Sequence, residues 1–564
     1  MNCLIVQSKF SEFSFWNYTE VCEIVNRKYP SAPLGLITMA ALMPQEWDFK
    51  LVDENVEELT DEHFKWADFV CTGGMLPQQK GMAKVIERSN KFKLPVAVGG
   101  PDPTSQPHHY EGADYKILGE AEITIPMFLE DFNKGVKKGT YQTAELADMK
   151  KAVTPRFDLI NFKNYLHVGV QFCRGCPFDC EFCDIIELYG RKPRLKSADQ
   201  IIAELQALYD LGYRGHVDFV DDNFIGNKKS VKEVLPKVIQ WSKERKHPFF
   251  FTTEASINMA DDEPLMQLMR DADFRYVFIG IETPDDELLK AMGKKQNVNK
   301  PIGDMIRKIY DYGMVVNAGF IMGFDNETEQ TADHMIDLIE ETGIGMAMLG
   351  TLYALPNTQL TRRLRKEGRL FEDGETISDS VVDQLSSGLN FVTLRPRLDI
   401  LKDYARVIKR IYEPKDYFTR IIASSILVKQ TTKFKPNFSE ILVNMRSVFR
   451  ISKKLGFNRS TGLLYWKMIF TVLFKNIWSL EVAINLAAMY IHFAKQSKYI
   501  VSVIEEQIKH VAEHGEQKVN KQRNQKVDRQ SNKESKPKKA VKTKAKSTTK
   551  SSKAQKQKVK KEVA

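Results

Sequence analysis

Two series of short apolar segments, each alternating with helical patterns, are the feature that most limits the folds open to this chain of 564 residues. The strand-like segments of the first series are rich in Val, Ile and Leu, and most end in glycine or a polar residue; they are 4–7, 49–54, 68–74, 95–101 and 115–120. Helical patterns such as 33–44 and 79–91 lie between them. This alternation predicts a parallel, doubly wound α/β domain of the Rossmann or flavodoxin type over residues 1–150.

A second alternating series follows a polar stretch near 131–160, which we interpret as a linker. Its six strand-like segments are 165–172, 216–222, 249–256, 275–283, 315–324 and 347–355. Six βα units predict a partial (β/α)6 barrel over residues 160–385, whose reactive face lies at the carboxyl ends of the strands.

Residues 386–510 have helical patterns and two apolar stretches, 461–474 and 479–493. Each stretch is too short or too interrupted to span a bilayer comfortably. Two interpretations stay open for them. They form the core of a helical domain, or they form an apolar pair of helices that lies beside a membrane surface or encloses a lipid pocket.

Basic charge is concentrated at the carboxyl end of the chain. Residues 511–564 contain 18 Lys or Arg and 5 Asp or Glu, so the other 510 residues have a net charge of −3. This tail has no aromatic residue and is predicted to be disordered. It either solubilises the protein, contacts anionic lipid or binds RNA, but without aromatic side chains for base stacking a nucleic-acid partner is disfavoured. Because the N-terminus lacks a signal-peptide pattern, we expect a cytoplasmic protein, with peripheral contact to the inner membrane face as an option.

Four of the seven cysteines lie within eleven residues, from Cys173 to Cys183. Such a cluster is typical of a metal site in a reducing compartment. All four thiolates could bind a structural zinc ion. Alternatively, Cys176, Cys180 and Cys183, spaced C-x3-C-x2-C, could hold three irons of a [4Fe–4S] cube and leave the fourth iron open. The position after the first strand of the second series favours the cube, and a chain without a metal here is the third option.

This motif, with the aromatic Phe182 before its last cysteine, resembles the radical S-adenosylmethionine (SAM) superfamily over about residues 165–385. The resemblance implies that the open iron binds the amino and carboxylate groups of SAM. An electron from the cluster then cleaves SAM to a 5′-deoxyadenosyl radical, which abstracts a hydrogen atom. Since the family uses three cysteines, we interpret Cys173 as a small packing residue.

Further strand ends match positions at which the family contacts SAM. Carboxylates suit an ammonium group and ribose hydroxyls as hydrogen-bond acceptors, although each acid taken singly could equally cap a strand or face solvent. The residues that the resemblance assigns to SAM, besides Phe182, are Asp221, Asp222, Glu254, Ser256, Glu282, Gly319 and Gly323.

The first domain resembles the cobalamin-binding subclass of the superfamily, through the segments PLGLITMAALMP, LVDENVE, TGGM, VGGP and LGEAE. The D-x-H-x-x-G motif that supplies a histidine to cobalt is absent, so the resemblance implies cobalamin without a histidine ligand. The candidate cobalamin residues are Thr72, Gly73, Gly74, Gly99, Gly100, Gly119 and Glu120. Alternatively, these glycines only form tight turns between strands and helices.

The segments RGCPFDCEFCDIIELYGRKPR, FVDDNFIGNKK and FFTTEASINMADD together resemble the hopanoid C-2 methylases and their relatives. The resemblance implies a cobalamin-dependent methyltransferase that acts on an unactivated carbon of a hopanoid-type lipid. Its expected partners are that small-molecule or lipid substrate and an electron donor such as flavodoxin or ferredoxin. The alternatives are a cyclisation or rearrangement without methyl transfer, and modification of RNA.

Overall fold

The computed structural model describes residues 1–10, 14, 17–371, 385, 388–436 and 438–515. The strands are β1 (Asn2–Gln7), β2 (Tyr29–Ser31), β3 (Asp48–Asp53), β4 (Phe69–Gly73), β5 (Val96–Gly99), β6 (Tyr115–Ile117), β7 (Gly139–Tyr141), β8 (Tyr165–Val170), β9 (Cys173–Arg174), β10 (Arg194–Leu195), β11 (Gly215–Phe219), β12 (Phe249–Ala255), β13 (Phe274–Glu282), β14 (Val315–Met322) and β15 (Ala347–Thr351). The helices are α1 (Thr19–Ile24), α2 (Leu34–Leu42), α3 (Asp61–Trp66), α4 (Gln79–Lys91), α5 (Pro101–Ser105), α6 (Ala121–Asn133), α7 (Ile185–Tyr189), α8 (Ala198–Asp210), α9 (Lys228–Glu244), α10 (Glu263–Asp271), α11 (Asp286–Ala291), α12 (Ile302–Asp311), α13 (Thr331–Thr342), α14 (Gln359–Lys366), α15 (Arg397–Ile411), α16 (Pro414–Leu427), α17 (Phe438–Ile451), α18 (Gly462–Lys475) and α19 (Leu480–His514).

The N-terminal sheet has six parallel strands in the order β3-β1-β4-β5-β6-β7, which confirms the predicted doubly wound domain. Both faces of the sheet are covered. Leu4 and Val6 of β1 belong to one buried apolar cluster, and Cys3 and Ile5 belong to another. Successive side chains of a strand point to opposite faces, so a strand buried on both sides needs a continuous apolar run.

The second sheet has seven parallel strands in the order β2-β8-β11-β12-β13-β14-β15, and it confirms the predicted partial barrel. Strand β12 shows how the barrel packs: Phe249 and Phe251 are buried in the outer core, whereas Phe250, Thr252 and Glu254 line an internal cavity. The alternation places one side chain of each pair against the surrounding helices and the other inside the barrel.

Four short strands were not predicted: β2, β7 and the two-residue strands β9 and β10, which pair with each other. Strand β7 lies in the stretch that we interpreted as a linker and forms an edge of the first sheet. Strand β2 leaves the first domain and pairs with the barrel, where Tyr29 lies opposite Tyr165 and Ser31 opposite His167. Strands of three residues are too short to show a period-two pattern, which is why the sequence gives no sign of them.

Helices α15 and α16 pack against the β15 side of the barrel, α18 and α19 pack on them, and α17 lies between α1 and α19, which confirms the helical C-terminal region. Tyr404 of α15 donates to the carbonyl of Leu349 at 3.1 Å, and the buried Arg420 of α16 donates from Nε to the carbonyl of Ile344 at 3.0 Å. The first four residues of the predicted tail, 511–514, belong to α19. The rest of that prediction, residues 516–564, lies outside the described residues.

Within the described part of the chain, one helical segment, Ile477–His514, is long and apolar enough to cross a membrane by length and composition. Half of the residues in its most apolar stretch of 18 residues are buried inside the protein. Buried positions such as Leu486, Tyr490 and Phe493 belong to the same apolar core as the barrel, as is typical of a core helix.

Candidate active site

A single cavity of 1880 Å³ lies between the two sheets and continues through the barrel. Gly73 and Gly99 line it from the carboxyl edge of the first sheet, and Glu254 and Glu282 line it from the barrel strands. Its far end reaches α17 and α19. Pockets for one small ligand usually enclose about 300–1,000 Å³, so this cavity has room for several molecules side by side.

The loop that carries the cysteines is fixed by backbone hydrogen bonds. The amide of Cys176 donates to the carbonyl of Gly190 at 3.3 Å, and the amide of Glu181 donates to the carbonyl of Met292 at 2.9 Å. Gly175 has a φ of +92°, and a Cβ there would lie 2.9 Å from the carbonyl oxygen of Gly190. Only glycine tolerates both the left-handed backbone and this close approach.

The arrangement of the cysteines fits an iron–sulfur cube better than zinc. Among the residues that the structure describes, no three His, Cys, Asp or Glu side chains converge on a single metal ion. A zinc site would require four thiolates at about 2.3 Å from one ion. A cube binds each thiolate to a different iron, so Cys176, Cys180 and Cys183 need not converge. Cys173 is fully buried in the apolar core, with its Sγ 3.7 Å from the carbonyl oxygen of Gly175.

Burial raises the pKa of the thiols of Cys176, Cys180 and Cys183 above the usual range. Two amide groups lie beside the sulfurs: Asn223 Nδ2 is 3.9 Å from Cys176 Sγ, and Gln296 Nε2 is 3.9 Å from Cys180 Sγ. A bound metal cluster deprotonates coordinating thiols despite burial. The donor set therefore fits a [4Fe–4S] cluster, and these amides are the side chains that would donate to its thiolates.

Asp221 and Asp222, both predicted SAM residues, also hold the cysteine loop in place. Asp221 accepts a hydrogen bond from the amide of Cys173, and Asp222 accepts one from the amide of Gly175 at 2.7 Å. Burial raises the pKa of Asp221 well above its usual range and that of Asp222 to about 6. Both side chains line the cavity.

Two buried carboxylate oxygens in the cavity lining, Asp221 Oδ2 and Glu254 Oε2, have no hydrogen-bond partner in the protein. Burial raises the pKa of Glu254 well above its usual range, and repulsion from Asp218 and Asp221 adds to this effect. Buried polar atoms without a partner are costly. The ammonium group of a cationic ligand such as SAM would donate hydrogen bonds to them.

Glu282 lies at the end of β13 and forms a buried ion pair with Lys294. Burial lowers the pKa of Lys294, but attraction to Glu282 and to Cys180 outweighs it and raises that pKa overall. Lys294 thus links a predicted SAM residue to the cysteine loop. Phe182 and Gly319 also line the cavity.

Two of the predicted SAM residues lie outside the cavity lining. Ser256 donates to Asn258 Oδ1 at 2.7 Å and accepts from Asn223 Nδ2 at 3.2 Å, so its hydroxyl orders the residues behind Cys176. The amide of Gly323 donates to Glu327 Oε1 at 2.6 Å in a buried turn with a φ of +108°. The structure thus places these two residues in supporting positions, because local hydrogen bonds use their polar groups.

The predicted cobalamin residues all line the cavity; they are Thr72, Gly73, Gly74, Gly99, Gly100, Gly119 and Glu120. The two interpretations of the glycines are compatible. A Cβ on Gly100 would lie 2.9 Å from the amide nitrogen of Gly74, so this glycine is required by the turn. Gly119, with a φ of +81°, has no atom within 4 Å of its Cβ position and leaves open space. The result is a smooth backbone surface at the strand ends.

A buried ion-pair network joins this glycine-rich edge to the cysteine loop. Arg174 donates to Glu120 at 2.8 Å and to Glu122 at 3.0 Å, and Arg194 lies 2.6 Å from Glu120. The Glu120 side chain is 1% exposed, so its carboxylate serves the arginines while its backbone borders the cavity. No local pattern indicates this role of the arginines, because their partners lie more than fifty residues away along the chain.

Comparison with known proteins supports the assignment of the cysteine motif to a radical SAM site. Residues 170–339 match the Radical SAM superfamily, and residues 358–506 match a domain of unknown function, DUF4070. An uncharacterized methyltransferase of Synechocystis sp. is 40% identical over 515 residues, covering 90% of this chain and 94% of the relative. The chain belongs to the radical SAM superfamily. The hopanoid C-2 methylase of Rhodopseudomonas palustris is 35% identical over 444 residues, covering 77% of this radical SAM protein and 82% of the methylase.

Solved structures of cobalamin-dependent radical SAM enzymes share the fold. OxsB with aqua-cobalamin and SAM bound has a TM-score of 0.55 at 16% identity, covering 91% of this chain and 80% of OxsB. TsrM from Kitasatospora setae, with tryptophan and a SAM analogue bound, has a TM-score of 0.56 at 13% identity, covering 80% and 99% of the two chains. At these identities the likeness establishes the architecture of sheet, half-barrel and helical region.

Together with the relatives, the site identifies a radical SAM methyltransferase, whose cofactors are a [4Fe–4S] cluster and SAM. Sequence reasoning missed several residues around the cysteines, among them Asn223, Lys294 and Gln296. Asn223 directly follows the predicted Asp221 and Asp222, so its position at a strand end was a usable signal. Lys294 and Gln296 come from a loop without any regular pattern.

Proposed function

We propose that this radical SAM enzyme uses cobalamin to methylate an unactivated carbon of a hopanoid-type lipid. The observation that carries the proposal is the single cavity shared by the glycine-rich edge, the cysteine loop and an apolar far end. When bound, the cluster with SAM supplies a radical that removes a hydrogen atom, and cobalamin supplies the methyl group. The chain itself binds, orients and shields the reacting molecules.

The arrangement of the cavity supports a substrate held between a cobalamin side and a cluster side. Gly73 and Gly99 lie on one side, and Phe182, Cys183 and Glu282 lie on the other. A substrate carbon held between the two sides would be near both a hydrogen acceptor and a methyl donor. Fixing reactants in one orientation removes much of the entropic barrier to their reaction.

A lipid substrate is supported by the far end of the cavity and by the 35% identity to a hopanoid C-2 methylase. Side chains such as Val443, Val448, Ile484, Met489 and Phe493 line this end. These apolar side chains favour a hydrocarbon ligand, since burying its surface releases ordered water. Glu440, Asn444 and Ser447 line the same end and offer hydrogen bonds to a polar group.

The test is methyl transfer from labelled SAM to extracted lipid. The reconstituted, anaerobically purified enzyme is incubated with methyl-labelled SAM, a chemical reductant and hopanoid, and the lipids are analysed by mass spectrometry. We expect the label in a methylated hopanoid. Consumption of SAM with an altered but unlabelled product would instead support a cyclisation or rearrangement, and labelled RNA would support the RNA-modifying alternative.

We further propose a low-potential flavodoxin or ferredoxin as the electron donor and the cytoplasm as the location. The cluster needs one electron for each SAM cleaved, and small redox proteins supply it in reducing compartments. All seven cysteines are free in the described structure, which is consistent with such a compartment. Replacing the chemical reductant with reduced flavodoxin or reduced ferredoxin should sustain methyl transfer. Activity with the chemical reductant but with neither of these two proteins would contradict this part of the proposal.

A further inference from the structure

The exposed large apolar side chains are concentrated in one part of the molecule. In the described chain, thirteen of twenty-one such side chains fall within residues 438–478, on α17, α18 and the turns beside them. Several are almost completely exposed, including Phe449 at 69%, Phe474 at 83% and Trp478 at 80%. We call these thirteen side chains the apolar face. Soluble monomers rarely expose so many large apolar groups together, and such patches mark interaction surfaces.

The turn between the two helices, residues 452–456, packs against both of them. Tyr465 Oη of α18 lies 2.8 Å from Ser452 Oγ, just after α17, and Trp466 Nε1 donates to the carbonyl of Gly456 at 3.1 Å. These contacts fix the turn after α17 against α18. The thirteen exposed side chains thus belong to two successive helices that one ordered turn connects.

The apolar face is surrounded by positive charge. Residues 435–478 contain eight exposed basic side chains and one acidic residue, Glu440, which lines the cavity. The basic residues are Lys435, Arg446, Arg450, Lys453, Lys454, Arg459, Lys467 and Lys475. The first 510 residues as a whole have a slightly negative net charge, so this concentration is local. Lysines and arginines beside an apolar surface are typical of proteins that lie on anionic membranes.

Helix α17 has two different faces. Glu440, Asn444, Ser447 and Ile451 recur at helical spacing and line the cavity. Phe438, Ile441, Leu442, Met445 and Phe449 recur on the opposite side and are exposed. At 3.6 residues per turn these two stripes point in nearly opposite directions. One helix thus separates the cavity from the apolar face.

We propose that the apolar face docks the protein onto an anionic phospholipid bilayer. The apolar side chains enter the boundary between headgroups and acyl chains, and the surrounding lysines and arginines contact the phosphates. Docking places the far end of the cavity about one helix diameter, roughly 10 Å, from the lipid. The proposal goes beyond the methyl transfer and does not depend on it, because docking requires neither cofactor nor substrate.

Vesicle flotation with the full-length protein tests the proposal. The probes are phosphatidylcholine vesicles and vesicles of phosphatidylcholine with an equal share of phosphatidylglycerol. The test variant is Phe449→Glu/Phe474→Glu/Trp478→Glu. The matched control is Leu211→Glu/Leu394→Glu, which changes exposed apolar residues outside the apolar face. We expect the wild type and the control to float with anionic vesicles and the test variant to bind at least about tenfold more weakly.

A second variant, Lys467→Glu/Lys475→Glu, keeps the test decisive if the triple variant fails to fold. It should lose binding to anionic vesicles and its salt dependence while leaving the apolar side chains intact. The proposal is overturned if either folded variant binds like the wild type, or if removal of residues 516–564 alone abolishes binding. It is also overturned if the wild type ignores vesicles and forms a dimer that the triple variant dissociates, because the apolar face would then bind a second copy.

Discussion

Arg174, the residue after Cys173, donates to the buried carboxylate of Glu120 at 2.8 Å. Glu120 follows the third glycine-rich strand end of the first sheet, and Arg174 belongs to the loop that carries the cysteine motif. This ion pair is therefore one of several buried contacts that join the two halves of the proposed active site.

Arg174→Ala should destabilise the protein by about 3 kcal/mol, because it leaves the carboxylates of Glu120 and Glu122 buried with less compensation. Chemical denaturation checks this value. The control is Arg307→Ala, which removes an exposed ion pair with Asp304 and should cost less than about 1 kcal/mol. Equal losses in the two variants would show that the buried network does not join the domains.

Gly119→Leu should block cobalamin. Gly119 lines the cavity, and a side chain there would extend into open space at the strand ends. Gly135→Leu is a closely matched control: its φ is +82° against +81°, its Cβ position is equally open, and it does not line the cavity. The backbone strain is the same in both variants, so only ligand binding should differ. The measurement is retention of the corrin absorbance after gel filtration with hydroxocobalamin.

Retention should fall at least about tenfold in Gly119→Leu and stay at the wild-type level in Gly135→Leu, since a leucine displaces ligand from the first site only. Loss in both variants would indicate general unfolding. Retention in both would place the corrin elsewhere.

Glu327 makes the stability of the barrel depend on pH. Burial raises its pKa to about 7, although the amides of Gly323 and Phe324 donate to its Oε1 and oppose the shift. Because the native state binds the proton more tightly than the unfolded state, this stabilising effect is complete below about pH 4.5 and is lost as the pH rises through 7. Arg395 and Asp403 act on the same carboxyl with opposite signs.

Glu327→Gln should remove this loss, since its amide oxygen can still accept both hydrogen bonds. Relative to the wild type, the variant should gain on the order of 2 kcal/mol in free energy of unfolding between pH 5 and pH 8. Urea denaturation at the two pH values measures the gain. The exposed Glu329→Gln serves as the control and should leave the pH dependence unchanged. Parallel pH dependences for wild type and Glu327→Gln would contradict the explanation.

The sequence predicted the long elements and the strand ends, because buried parallel strands leave continuous apolar runs such as that of β1. It did not predict β2, whose three residues join the barrel through a pairing with β8 that no local pattern encodes. The three cysteines and the glycine-rich edge could be named from motifs. Their proximity depends on how the two sheets face each other, which the sequence does not specify.

The hydrogen bonds of the polar side chains at the strand ends also could not be predicted from the sequence. Asp221 and Asp222 were named as ligand contacts; both line the cavity, and each also accepts an amide hydrogen bond from the cysteine loop. Ser256 was named on the same ground; its hydroxyl is bonded to Asn258 and Asn223 outside the cavity lining, and its contact with SAM stays a prediction. Whether a polar side chain at a strand end serves the backbone or the cavity depends on loop conformation. That conformation is fixed by distant residues such as Met292 and Gly190.

The role of the cysteines is the central claim. Electron paramagnetic resonance of the reduced, anaerobically purified protein, with and without SAM, tests it most directly. We predict a reduced [4Fe–4S] signal that SAM alters in the wild type and in Cys173→Ala, and no such signal in the Cys176→Ala/Cys180→Ala/Cys183→Ala variant. Bound zinc in place of iron, loss of the cluster in Cys173→Ala, or a signal indifferent to SAM would contradict the claim that three thiolates leave one iron open.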